Sequence, residues 1–406
     1  MQRRDFLQFP AALAMAPAAH ERGPDLGNLF EILERMRGAE APALSFLEPK
    51  WKSLEAWKAA ARPVFQRLLA YDPEPLRMSP ELAGREERDG LRIERVRLPG
   101  TRAYDIPVWV LAPSGLRGRA PGIVASHCHS GMYVWGHEKI VSAPDDGKPL
   151  LDFRQRAYGR PWAEALARRG FVVAVIDAFY FGSRRIAVEK MRLEDVPPRL
   201  REYVAPISRH APQSAEWIAA VNRACGEYEH LTAKTIFSAG FTWPGIHVWD
   251  DRRVLEYLCS RPDVDSARIG ALGLSIGGLR TAHLIAADPR VKAACVTGWM
   301  TEFPAQLRNH LRNHTWMIYI PGLYRALDLP DAAALTAPGA LLVQQCGRDQ
   351  LYPMEAMKGA VAKLERIYAK AGLRERFRGT FYDVPHSFNP EMQEEAFAWL
   401  EKWLNA

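Results

Sequence analysis

Cysteine is scarce in this chain of 406 residues: Cys128, Cys225, Cys259, Cys295 and Cys346 are all there is. The number is odd, and the spacings match neither a zinc ligand set nor a disulfide framework. Disulfides are therefore not expected to hold the fold together. Cys259, Cys295 and Cys346 stand in apolar or strand-like surroundings and are expected to be buried thiols. No run of eighteen apolar residues occurs, so no membrane-spanning helix is expected and a membrane is not an expected partner. Internal repeats and low-complexity tracts are also missing. Positive charge is in modest excess, 54 Lys and Arg against 47 Asp and Glu, with the arginines scattered rather than gathered in a block. No reader motif accompanies them, so nucleic acid is not an expected partner either. What remains is an ordinary globular composition, 48% apolar and 25% charged, in a chain long enough to bury a large core.

The amino terminus stands apart. Arg3-Arg4 precede Asp5-Phe6-Leu7, an Ala-rich stretch follows, and Ala16-Pro17-Ala18 is a small-residue site. This resembles a bacterial twin-arginine export signal. Residues 1–20 are accordingly set outside the fold, with export to the periplasm as the expected location and a cytoplasmic protein with a chance arginine pair as the alternative. Residues 21–89 read as a helical flank. Leu29, Phe30, Ile32 and Leu33, then Trp51, Leu54, Trp57, Phe65 and Leu69, give apolar faces near helical spacing, and Pro73, Pro75 and Pro80 end the region.

Residues 90–406 read as one α/β domain. The stretch 91–98 alternates apolar and polar residues, as a half-buried antiparallel strand does, and 106–112 pairs with it. Later strands are continuous apolar runs, at 122–126, 171–176, 269–274, 293–297 and 340–343. Runs of that kind belong to a parallel sheet covered on both faces. Helical spacing at 162–169, 247–260, 277–287, 354–371 and 390–404 alternates with them. Together they predict a doubly wound, mostly parallel sheet. Two inserts, at 184–244 and 301–338, break the alternation and are expected to shape a substrate pocket like a cap.

Gly273-Leu274-Ser275-Ile276-Gly277-Gly278 follows an apolar strand and precedes an apolar helix, the setting of a nucleophile elbow. A sharp strand-to-helix turn strains the serine backbone, and only small neighbours such as Gly273 and Gly277 permit it. A serine hydroxyl needs a general base. His386, on a loop between the last strand and the last helix, is placed for that role. His310 and His314 fall in the second insert, and His283 lies two turns along the helix behind Ser275. Asp349, after the strand ending near Cys346, is expected to orient the imidazole, with Asp383 as the rival. The amide of Ile276 is one expected oxyanion donor and that of His129 the second. A metal reading of His127, His129 and His137 lacks the nearby Asp-His pair such sites supply. No metal and no cofactor are expected. Asp177 is expected to bond its own loop. Trp135, Phe179, Tyr180, Phe181 and Trp299 could line an acyl or sugar pocket, although core packing is the commoner fate of such aromatics.

The chain resembles the bacterial dienelactone hydrolase and acetyl xylan esterase-like branch of the α/β-hydrolases. The segments that carry the likeness are the His127 loop, Ile176-Asp177 with Phe181-Gly182, and 249–278, 328–353 and 384–404, within a likeness spanning about 91–404. The order Ser275, Asp349, His386 matches that of the family. Many relatives carry H-G-x-G-G where this chain has Cys128 and Ser130, and dienelactone hydrolases proper use cysteine where it has Ser275. The resemblance implies hydrolysis of a carboxylic ester through an acyl-enzyme, including deacetylation of carbohydrate. A prolyl-oligopeptidase-type serine peptidase is the alternative enzyme, though about ninety residues before Leu91 cannot build its propeller. A hydrolase-like protein used only for binding is the alternative outside catalysis. The expected partner is a small-molecule or carbohydrate ester.

Overall fold

The computed structural model describes residues 23–38 and 41–405. The expected export signal lies outside the described residues. Two helices come first, α1 (Asn28–Arg37) and α2 (Leu54–Leu68), followed by strands β1 (Glu81–Arg88), β2 (Leu91–Pro99), β3 (Asp105–Pro113) and β4 (Ala120–Ser126). Helices α3 (Lys148–Ala157) and α4 (Trp162–Ala167) lead to β5 (Val172–Ile176). Next come α5 (Arg201–Val204), α6 (Ala215–Ser238), α7 (Trp243–Ser260) and β6 (Val264–Leu274). The remainder runs α8 (Ile276–Ala287), β7 (Val291–Thr297), α9 (Leu323–Ala326), α10 (Leu329–Ala334), β8 (Ala340–Cys346), α11 (Met354–Lys370), β9 (Phe377–Tyr382) and α12 (Pro390–Leu404).

The nine strands form one sheet in the order β1-β2-β3-β5-β4-β6-β7-β8-β9. β1, β2, β3 and β5 pair antiparallel in that sequence, and from β5 through β9 every pairing is parallel. Every residue of β4, β5 and β8 is buried. Successive strand residues face opposite sides, so both faces of the sheet are covered along these three strands. This is why those strands read as largely apolar runs while β2 alternates; the buried Gln344 and Gln345 at the end of β8 donate to the Met392 and Met300 carbonyls.

Two expectations for the flank need correction. Of α1, only Phe30 is buried; Leu29, Ile32 and Leu33 are exposed, so its apolar face does not pack on the sheet. The anchoring falls to α2, which packs against α8 with Trp57, Ala61 and Phe65 fully buried. The sheet also starts ahead of Leu91, with β1 inside the stretch read as helical flank. Its sequence, ELAGREER, carries no apolar alternation because the strand is an edge with no buried residue. Cross-strand ion pairs tie it down, Arg85 to Glu94 and Glu81 to Arg97, each at 2.6 Å.

The inserts carry structure that periodicity did not reveal. The first holds α6, twenty-four residues long, started by the Ser214 hydroxyl accepting the Trp217 amide. The second is a chain of short turns with α9 and α10. Asp331 there, fully buried, receives the Lys363 ammonium from α11 at 2.6 Å and the Ser45 hydroxyl at 2.8 Å.

Candidate active site

Parallel register brings several strand ends to one edge. Ser126 of β4 lies opposite Gly273 of β6, Leu274 opposite Thr297 of β7, and Thr297 opposite Gln344 of β8. Ligands of open α/β sheets bind beyond such carboxyl ends. Ser275 leaves that edge between β6 and α8 with φ +62° and ψ −124°, a conformation that costs a non-glycine residue about 1–3 kcal/mol. The surroundings over-determine it. The Ser275 amide donates to the Thr297 carbonyl at 2.9 Å. A methyl group on Gly273 would strike the backbone of Gly277, and one on Gly277 would strike the Ser126 carbonyl oxygen. Both glycines of the predicted elbow are thus required by close backbone approach.

His386 and Asp349 are brought together: the Asp349 Oδ2 lies 2.5 Å from His386 Nδ1. The other carboxylate oxygen, Oδ1, accepts the Leu351 amide at 2.9 Å, which fixes the plane of the carboxylate. Asp383, the rival, points into solvent and pairs with Arg348 at 3.2 Å. The His386 ring lies over Gly298, where an added methyl would stand 3.3 Å from Cε1. Gly298 directly follows Thr297, whose carbonyl receives the Ser275 amide, so serine and imidazole share one corner of the sheet edge. No hydrogen bond joins them among the described residues; His386 Nε2 is buried and unpartnered. A serine and an imidazole that act as nucleophile and base are often this loose before substrate binds.

The predicted oxyanion donors also lie on this edge. The Ile276 amide opens α8, where helix geometry provides no acceptor. The His129 amide, on the loop after β4, donates to no protein group among the described residues. That loop is held from all sides. The Cys128 amide donates to the Tyr158 hydroxyl at 3.0 Å. His129 Nδ1 accepts the Gly131 amide at 2.9 Å, so its proton resides on Nε2 and is donated to Glu229 at 3.0 Å. Glu229, on α6, also takes the hydroxyls of Tyr133 at 2.7 Å and Thr315 at 2.8 Å. One buried carboxylate therefore joins the loop after β4 to both inserts. Burial alone would raise the Glu229 pKa, but the donors from His129, Tyr133 and Thr315 hold it below the usual glutamate range.

Sequence reasoning passed over Glu229, Tyr158 and Lys139. Lys139 is fully buried near the same loop, and burial pulls its ammonium down to about 8. Nothing in local spacing marks any of the three, because each meets the loop from a distant part of the chain or from an irregular segment.

The remaining candidates fall elsewhere. His283 is packed beside Phe65, and burial lowers its pKa to about 3. His314 stacks on Tyr352 at a centroid distance of 5.2 Å, next to Trp299, with its pKa lowered by burial to about 4. His310 is partly exposed in the second insert. Trp135, Tyr180, Phe181 and Trp299 belong to the core, and Phe179 is half-buried. His127 is committed to loop hydrogen bonds. His137 joins Glu138 and Asp177 in a cluster whose ligand-type atoms lie within 4.8 Å of one another. Asp177 is already occupied there, by the His137 amide and Nδ1 and by the Ser183 amide and hydroxyl. Cys295 and Cys346 are buried, whereas Cys259 is only half-buried, a correction to the expectation from its apolar neighbours. A cavity of about 810 Å³ between α1, the end of α6 and the second insert is lined by aromatics such as Phe237, Phe303 and Trp316, but by neither Ser275 nor His386.

The nine-stranded, mostly parallel sheet with helices on it has the α/β-hydrolase fold. No family model matches the chain. It is 24% identical over 354 residues to YtaP of Bacillus subtilis (strain 168), a protein provisionally named a hydrolase, covering 86% of this chain and 100% of that one. Among solved structures it superposes on a provisionally named acetyl xylan esterase from Bacteroides fragilis with a TM-score of 0.65 at 14% identity, covering 87% of this chain and 82% of that one. A glucuronoyl esterase from Solibacter usitatus superposes with a TM-score of 0.57 at 15% identity, covering 89% and 99%. No helix among the described residues is long and apolar enough to cross a membrane.

Proposed function

We propose that this protein is a serine-dependent carboxylic ester hydrolase that works through an acyl-enzyme. Ser275 attacks the ester carbonyl, His386 takes its proton and passes it to the leaving alcohol, and Asp349 holds the imidazole in the tautomer that leaves Nε2 free to accept. The amides of Ile276 and His129 receive the oxyanion. Water, activated by the same histidine, then releases the acid. The observation that carries this reading is the Asp349–His386 pair at 2.5 Å, with its unpartnered Nε2 at the same sheet corner as a strained serine.

The esterase names among the structural neighbours support an ester rather than an amide, and acetylated carbohydrate is the substrate class we favour. A protein acting on such material outside the cytoplasm would suit the twin-arginine motif at Arg3-Arg4. The decisive experiment is labelling by a fluorophosphonate, mapped by mass spectrometry, alongside turnover of short p-nitrophenyl esters. The modification should fall on Ser275, and Ser275→Ala should keep its fold while losing both labelling and turnover. Undiminished turnover by that variant would eliminate the proposal. Release of acetate from acetylated xylan, without cleavage of peptide amides, is the expected specificity.

A further inference from the structure

The peptide that joins Cys128 to His129 is gripped at its carbonyl end. The Cys128 carbonyl oxygen accepts the Lys139 ammonium at 2.8 Å and faces His127 Nδ1 at 2.9 Å. His127 Nε2 accepts the Ala178 amide at 3.2 Å, so the proton of that imidazole must sit on Nδ1 and is donated to the same carbonyl. Lys139 reaches the next carbonyl as well, that of His129 at 3.2 Å, which also receives the Met132 amide. In a trans peptide the N–H points away from the C=O. Two donors on the Cys128 carbonyl therefore fix the direction of the His129 N–H, which donates to nothing among the described residues. Ser126, three residues before His129, is in register with Gly273, two residues before Ser275, so this peptide lies on the loop that leaves the sheet beside the elbow.

Lys139 is an unusual choice for a mere structural prop. It is completely buried and forms no ion pair with a carboxylate among the described residues; its ammonium lies 4.5 Å from the Phe181 ring centroid. Burying a cation without a directly bonded counter-charge is costly, and a neutral donor would satisfy a carbonyl at lower cost. A positive charge on the carbonyl end draws electron density through the peptide and makes its N–H a stronger donor. The same charge adds favourable potential where a negative oxygen develops in a water-poor site.

We propose that Lys139 is a positioning residue for the oxyanion, acting through the Cys128–His129 peptide whose N–H it orients and polarises. This rests on the acyl-enzyme reading, and it extends that reading to a side chain that never touches substrate.

The test combines two variants with one measurement on the unaltered protein. Lys139→Met removes charge and donor; Lys139→Arg keeps a cation. For a short p-nitrophenyl ester, Lys139→Met should lower kcat by roughly 10- to 100-fold with KM nearly unchanged. It should weaken a boronic acid that forms a tetrahedral adduct on Ser275 by a similar factor. Lys139→Arg should recover part of both losses. A folded Lys139→Met protein with kcat and boronate affinity within threefold of the parent overturns the proposal. Should that variant not fold, the parent decides: in a crystal structure of its phosphonylated form, a phosphonyl oxygen within about 3.2 Å of the His129 nitrogen supports the role, and an oxygen turned away from that amide overturns it. Failure of the parent to be labelled at Ser275 would instead sink the acyl-enzyme reading, so the two failures are separable.

Discussion

His386 and Asp349 stand 37 positions apart in the chain and share a hydrogen bond of 2.5 Å, whereas Asp383, next door in sequence, turns its carboxylate out to Arg348. A β-strand explains the division. Asp383 follows β9 and continues its outward course, while Asp349 caps the turn after β8, whose carboxyl end lies beside that of β9 through the pairing of Cys346 with Tyr382. Asp349→Asn should therefore lower kcat on p-nitrophenyl esters by about three to four orders of magnitude, since an amide cannot hold the imidazole in the required tautomer. Asp383→Asn should leave kcat within twofold. Equal losses from both changes would remove Asp349 from its assigned role.

Gly277 has no room for a side chain. A methyl group there collides with the Ser126 carbonyl, and backbone cannot swing aside as a flexible side chain can. Gly277→Ala should destabilise the protein by about 1–3 kcal/mol in urea unfolding. It should also slow fluorophosphonate labelling of Ser275 at least tenfold, because the turn that presents the hydroxyl must shift. A variant with the parent's midpoint and labelling rate would mean the elbow is more tolerant than its contacts imply.

Glu229 gathers donors from the loop after β4 and from the second insert. Glu229→Ala should cost about 2–4 kcal/mol, because His129, Tyr133 and Thr315 all lose a buried acceptor. Limited proteolysis should open the inserts before the sheet, with new cuts around residues 310–320. Glu229→Gln should be milder. The group's pKa is depressed in the fold, so its contribution is complete above the ordinary glutamate range and disappears as pH falls through the lowered value. If the alanine variant resists protease as the parent does, the inserts are held by other contacts.

Two shielded histidines, His283 buried and His314 half-buried, make acid a threat. His283 and His314 have pKa values lowered to about 3 and about 4, each chiefly by burial. An unfolded histidine takes a proton near 6.5, so the unfolded chain binds more protons than the folded one between that value and the depressed ones. Stability is full above about 6.5 and falls as pH drops below it, by about 2 kcal/mol per histidine at pH 5. His283→Leu should flatten the decline of the urea midpoint between pH 7 and 5. An unchanged slope would place the acid sensitivity elsewhere.

The legible and illegible parts of this chain divide along a physical line. Strands buried on both faces, at β4, β5 and the first four residues of β8, announce themselves as apolar runs, because a buried position without a hydrogen-bond partner must avoid polar groups. The Gly-x-Ser-x-Gly turn is equally readable, since the backbone crowding that demands Gly273 and Gly277 acts within five residues. β1 escaped because an exposed edge strand imposes no apolar pattern. The apolar spacing of α1 misled because periodicity reports which residues share a face, and not whether anything covers that face. Glu229 and Lys139 were invisible for a third reason. Each satisfies groups brought near by the fold alone: Glu229 lies 100 positions from His129, and Lys139 reaches back to carbonyls ten and eleven positions earlier.

Among the described residues, β1 leaves one margin of the sheet with unpaired backbone donors and acceptors, an arrangement that invites another molecule's strand to add on. Here that margin bristles with Glu81, Arg85, Glu86, Glu87 and Arg88. An incoming strand would have to strip water from several fixed charges of both signs before making its first amide bond. The composition that hid this strand from pattern reading is thus also what discourages these molecules from zipping together side by side.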